Sequence, residues 1–236
     1  MPQSRKPKPP GTRTEKLHVA LRQAIIEQRL APGTRLPEDA IGESFGTSRT
    51  IAREALGRLA VEGLVELIPN RGAFVANPTL DEGREIFAVR RGLERLVVQE
   101  VAARMTPKSA AILQELARNE ADSGPISEAQ AIRLAGEFHL RLAALSGNAL
   151  LLRYVTELVS RCSLVLAMYG RPHSADCAVS EHLALVEALV AGDGARAADL
   201  MDRHLDAVAG RALMARPADS DLRTILASVS RDLDLT

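Results

Sequence analysis

The chain has 236 residues, more than one typical domain, which makes two domains the expectation. Hydrophobic content of 46% with only 3% aromatic and no Trp suits packed helices rather than sheets, and no apolar run approaches the roughly 20 residues of a membrane-spanning helix. Net charge is zero, which argues against nucleic-acid binding until the chain is divided: residues 1–78 hold 12 Lys+Arg against 8 Asp+Glu, leaving 18 against 22 in residues 79–236. Of the first set, Arg5, Lys6, Lys8 and Arg13 all lie in the N-terminal tail, so the folded part behind it is close to neutral. A DNA-binding role must therefore rest on where the arginines point, not on their number.

The basic N-terminus has no apolar stretch behind it and does not read as a secretory signal. Cys162 and Cys177 lack the spacing of a metal site or a disulfide framework. Both features point to a reducing, cytoplasmic setting.

Residues 1–13, with Pro2, Pro7, Pro9 and Pro10, read as a flexible basic tail. Leu17, Leu21, Ile25 and Ile26 predict a helix over 14–28 with Thr14 as its cap, ended by Ala31-Pro32-Gly33. A short extended piece at Arg35–Leu36 precedes a second helix over 38–45. Gly46 supplies a tight turn, and Thr47 or Ser48 caps a third helix that reaches Glu62. Val65–Ile68 and Ala73–Val75 pair as strands around Pro69-Asn70-Arg71-Gly72. This order is a winged helix-turn-helix over 14–76, a module that sets one helix in the major groove of DNA.

In the third helix Ala52, Ala55, Leu56 and Leu59 form the buried set, while Arg49 and Arg53, four apart, share the opposite face. Arginine can bind guanine O6 and N7 with two hydrogen bonds, worth about 1–3 kcal/mol of base discrimination. Ser48 and Thr50 at the helix start suit phosphate oxygens. Arg71 at the wing tip fits a narrow minor groove, with Gly72 allowing the turn. Arg35 and Arg58 stand between phosphate contact and plain surface. Two arginines on a helix are commonly just a solvated face. The tight turn before them and the Asn-Arg-Gly wing after them favour DNA.

Asn77-Pro78 marks a linker to a second domain over 79–236. From Leu80 the pattern is helical, with breaks near 105–109, 122–125, 146–148, 170–174, 191–194 and 215–219, giving six or seven helices and no sheet. Leu222, Ile225, Leu226, Val229 and Leu233 predict an amphipathic last helix over 219–233, docked on its own domain or on a partner subunit. The fold class is mainly α, a winged helix-turn-helix followed by a helical bundle.

His139, His182 and His204 fall on three separate helices of that bundle. One histidine on an apolar face is usually structural, but three on facing helices can converge as neutral imidazoles around Zn²⁺ or Ni²⁺. Spacing alone leaves both readings open.

Leu36–Leu56 and the Asn-Arg-Gly-Ala-Phe-Val wing resemble the DNA-binding domain of the GntR family of bacterial transcriptional regulators. The second domain resembles the all-helical FCD type, and the resemblance spans about residues 14–215. One departure is in helix two, where many relatives carry a DNA-touching arginine and this chain has Asp39 and Ala40.

The resemblance implies a metal held by His139, His182 and His204 together with an Asp or Asn one turn before the first of them. That position is Ala135, so the fourth protein ligand is missing. Glu137, two residues from His139, is on the wrong side of the helix to replace it. The resemblance also implies a small organic-acid effector, with Arg90 as an inward-facing arginine and Asn148 at a family position. Arg90 has an ion pair with Glu94 as its alternative, and Asn148 a capping role. His18 and His173 lie outside the set and read as surface residues.

The leading expectation is a homodimeric regulator, most often a repressor in this family, that binds a pseudo-palindromic operator in double-stranded DNA and is modulated by its effector. Two other classes compete: a metal-dependent hydrolytic enzyme using the three histidines, and an architectural DNA-binding protein without an effector. No nucleotide-binding glycine loop or nucleophile motif supports an enzyme.

Overall fold

A computed structural model describes residues 12–122, 127–170 and 175–213. Residues 1–11 of the predicted tail and the helix expected over 219–233 lie outside the described residues, while Thr12 and Arg13 belong to the first helix rather than to the tail.

Helices α1 (Arg13–Ile26), α2 (Glu38–Ser44) and α3 (Arg49–Val61) precede a hairpin of β1 (Val65–Ile68) and β2 (Gly72–Val75). Thr12 rather than Thr14 caps α1, its hydroxyl accepting from the Glu15 N–H. Thr14 is instead buried against α3 and donates to Glu54 at 3.1 Å. The helix also stops earlier than expected, because Gln28 takes a left-handed φ of 59° before the Ala-Pro-Gly stretch is reached. Gly46 makes the turn between α2 and α3 at φ 57°, and Ser48 caps α3.

The strands pair antiparallel with Val65 opposite Val75 and Ile68 opposite Gly72. The extended piece before α2 joins them, since Arg35 bridges Phe74 and the Leu36 N–H donates to the Ala73 carbonyl at 2.8 Å. Leu21, Ile25, Leu56, Leu59, Leu64 and Val75 fill the core between α1, α3 and the hairpin. Each such side chain contributes about 1.5–3 kcal/mol by leaving water.

Among the described residues six helices follow: α4 (Leu80–Ala103), α5 (Pro107–Ala121), α6 (Glu128–Leu145), α7 (Ala149–Tyr169), α8 (Ala175–Val190) and α9 (Gly194–Leu213). Their starts are written locally. Thr79 with Glu82, Thr106 with Ser109 and Ser127 with Gln130 form reciprocal capping boxes. The helix α4 packs on α9 and α7, α5 on α8, and α6 on α7. Phe138, Leu142, Val155, Leu185, Met201 and Leu205 are among the fully buried residues at the centre. No helix among the described residues is long and apolar enough to cross a membrane.

Leu164 of α7 belongs to the core of the winged module rather than to the bundle. Arg133 of α6 reaches Glu27, just past α1, at 3.5 Å. Thus α6 and α7 face the bundle interior on one side and the winged module on the other.

Candidate DNA-reading face and buried histidine cluster

Arg35, Ser48, Arg49, Thr50, Arg53, Arg58, Arg71 and Gly72 are all exposed. The structure brings Arg49 and Arg53 together through a residue that sequence reasoning missed. Glu38, at the start of α2, accepts from Arg49 Nε at 3.0 Å and from Arg53 Nε and Nη2 at 2.9 and 2.8 Å. Hydrogen bonds from Arg53, then Arg49, hold its carboxyl down at about 2. Asp39 adds a weaker contact to Arg49 at 3.5 Å. Helix two therefore supplies carboxylates that orient the arginines of helix three, where an arginine of its own was missing.

The other candidates differ in what holds them. Arg58 is tied to Glu54 at 2.7 Å on its own helix. Arg71 stands at the wing tip with its guanidinium 5.5 Å from the Phe74 ring centre, between Asn70 at φ 61° and Gly72 at φ 97°. His18 is not a free surface residue. It meets Glu62 at 2.8 Å, half-buried beside Arg22.

Inside the bundle, His139 of α6, His182 of α8 and His204 of α9 are all buried, and one ring nitrogen of each lies within 4.8 Å of the others. Each Nδ1 faces a carboxylate: Glu94 for His139, Glu120 for His182 at 2.7 Å, and Glu181 for His204 at 2.6 Å. A carboxylate accepts, so each Nδ1 carries the proton and each Nε2 presents a lone pair. The Nε2 atoms of His139 and His204 are 3.2 Å apart, and that of His182 is buried without a hydrogen-bond partner among the described residues.

Burial pushes His139 down to about 4 and His204 down to about 3, so both rings are neutral near pH 7. Burial would raise the Glu94 carboxyl, but Arg90 and His139 outweigh it and hold Glu94 well below the usual range. Glu181 is lowered first by its bond to His204. Converging lone pairs, each backed by a carboxylate, are what a divalent cation takes from histidines, so the donor set fits a metal.

A cavity of about 120 Å³ opens beside the cluster, lined by His139, His204, Ala135, Cys162, Arg90 and Arg211 among others. Arg90 is buried and spends its Nε on Glu94 at 2.5 Å, the ion pair anticipated as its alternative role. Asn148 is not among the lining residues. It caps α7, accepting from the N–H groups of Leu150 and Leu151.

Comparison with known proteins places this arrangement. Residues 13–75 match the bacterial regulatory proteins of the gntR family, and residues 85–207 match the FCD domain. The chain belongs to the GntR family, in its FCD branch. A regulator in an unstable DNA locus of Streptomyces ambofaciens is 30% identical over 84% of each chain. The Nta operon transcriptional regulator of Aminobacter aminovorans is 32% identical over 58% of this chain and 65% of its own length. The crystal structure of a putative GntR regulator from Rhodococcus sp. RHA1 superposes with a TM-score of 0.71 at 26% identity, covering 87% of this chain and all of that one.

GntR proteins are transcriptional regulators with a DNA-binding domain, not enzymes, and the hydrolytic alternative falls with that. Within this FCD bundle, Ala135 lines the cavity one turn before His139, where the family resemblance implies an Asp or Asn. The three glutamates behind the histidines were not legible as partners. Glu181 sits beside His182 in sequence yet engages His204, a pairing that only the α8–α9 packing creates.

Proposed function

We propose that this GntR protein is a homodimeric repressor whose operator binding is set by a small organic acid in the bundle cavity, beside a divalent cation on His139, His182 and His204. The winged module over 14–76 would read DNA and the segment over 79–236 would bind effector and dimerise. Arg49 and Arg53 are the base readers, held in register by Glu38. Ser48, Thr50, Arg35 and Arg58 serve the phosphates, and Arg71 with Gly72 the minor groove. Dimerisation sets two such helices on a pseudo-palindrome in the cytoplasm.

The observation that carries the reading is the convergence of three buried imidazoles, two of which, His139 and His204, stand on the wall of a cavity. A bound cation such as Zn²⁺ or Ni²⁺ would supply a positive charge that attracts a carboxylate. The chain's own residues do the rest. Glu94, Glu120 and Glu181 fix the imidazole tautomers, and α6 and α7 carry the change in cavity occupancy to the winged module they touch. An architectural protein has no use for such a cavity.

Capture of source-genome fragments on the purified protein, with and without organic acids, tests the reading. Enrichment of a few palindromic sites whose recovery changes with an acid supports it. Fragments captured without preference would remove it.

A further inference from the structure

The cavity beside the histidines has a chemistry that narrows what can enter it. Its space exists because Ala131, Ala135, Gly136 and Ala178 are small; Ile132, Val159, Leu166 and Val208 add apolar wall, and Glu120, Glu128 and Ser163 also reach it. A cavity of roughly 150 Å³ holds a benzene ring, so about 120 Å³ suits a compact body of that order. A polyhydroxylated acid would bring more hydroxyls than the few polar side chains on this wall, several of them already engaged, could satisfy.

Two arginines reach this wall among the described residues, and they are not equivalent. Arg90 is enclosed and clamped by Glu94. Arg211 is half-buried and has no ion pair within 4 Å among the described residues, although its charge is felt by Glu181. It follows His204 by seven residues and Val208 by three on the same face of α9. Helical side chains lean toward the N-terminus, which directs the guanidinium back toward His204. A planar guanidinium binds a carboxylate with two hydrogen bonds.

Resting on the effector reading above, we propose that the cavity takes a monocarboxylic acid with a compact apolar body, aromatic or branched, and that Arg211 rather than Arg90 pairs with its carboxylate. Ala135 serves this selection, because a methyl group there adds no further carboxylate to a wall that already carries Glu120 and Glu128.

Calorimetric titration of the full chain supplied with Zn²⁺ tests this with three probes: benzoate, benzyl alcohol and D-gluconate. Benzoate is expected to bind, with benzyl alcohol and gluconate at least about tenfold weaker. Arg211→Met should weaken benzoate at least about tenfold with operator binding retained, and Ala135→Leu, which fills the cavity, should abolish it. Benzyl alcohol binding as well as benzoate, or an unchanged benzoate Kd in Arg211→Met, overturns the role of Arg211. Gluconate binding in preference to benzoate, and lost in Ala135→Leu, overturns the ligand class while the effector site stands. No binding by either acid removes the effector reading itself, and this proposal with it.

Discussion

His139 and His204 present their Nε2 atoms to each other at 3.2 Å while Glu94 and Glu181 hold the opposite side of each ring. Two lone pairs at that separation repel unless a cation lies near both, and the low pKa values of both rings argue against a proton in that role. Metal removal is therefore expected to destabilise the protein. A cation at 100 times its Kd contributes about 2.7 kcal/mol. Calorimetry before and after chelation should show a lower Tm after it, restored by Zn²⁺ or Ni²⁺. Glu181→Gln should weaken the metal about 10–100-fold with the fold intact, because it loosens the tautomer lock rather than a ligand. His182→Ala should lower the metal content of protein purified without chelator.

The same rings set a pH dependence in the metal-free protein. An unfolded histidine titrates near 6.5, whereas His139 and His204 are held at about 4 and about 3 in the fold. Between about pH 6.5 and 4 the unfolded chain binds more protons, so stability falls as pH falls through that window. Glu94 and Glu181, both depressed, contribute stability that persists above their unfolded values near 4.5 and is lost only below them. Tm should drop measurably from pH 7 to pH 5, and the double variant His139→Asn/His204→Gln should flatten that slope. The metal-loaded protein should fall more steeply, since ligation needs neutral imidazoles.

Arg49→Ala should erase operator preference and leave folding and dimerisation intact, as competition binding against scrambled duplex would report. A retained preference would take Arg49 out of the reading set. Glu38→Ala has an opposite signature. It removes a negative charge beside Arg49 and Arg53 and frees both arginines, so affinity for scrambled duplex should rise while the cognate-to-scrambled ratio falls. Arg71→Ala should weaken binding at the sites flanking the half-sites and lower the salt slope by about one unit for each phosphate that Arg71 neutralises.

How much of this was legible in the sequence follows from the range of the interactions. The helical pattern from Leu80, the breaks near 105–109 and 122–125 and the Pro-Asn-Arg-Gly turn are local and legible. The capping boxes at Thr79, Thr106 and Ser127, though they span only three residues, went unread. Thr12 escapes notice as the α1 cap because Thr14 stands next to the apolar pattern, and only packing shows that Thr14 faces Glu54. The three histidines could be named from their helices, but Glu120 lies 62 residues from His182 and Glu38 lies 15 from Arg53. Such pairs are fixed by which helices touch, and no local signal records that.

The cavity and the winged module share two helices, α6 and α7. On α6, Ile132 and Leu134 line the cavity while Arg133 between them turns outward to Glu27 at 3.5 Å, held also by Glu137 at 2.7 Å. On α7, Ser163 and Leu166 line the cavity while Leu164 is buried in the winged module's core. A ligand that spreads α6 from α7 must therefore move contacts made to α1. Arg133→Ala removes an ion pair that is partly exposed, so its cost in stability should be small. Its effect should appear instead in the coupling: the ratio of operator Kd with and without effector, of order 5–150-fold for a coupling of about 1–3 kcal/mol, should shrink toward one. Leu164→Ala should cost about 2–5 kcal/mol and lower the cooperativity of unfolding between the two parts. Operator binding titrated with and without the acid checks the first. An undiminished ratio in Arg133→Ala would show that the signal runs through α7 alone.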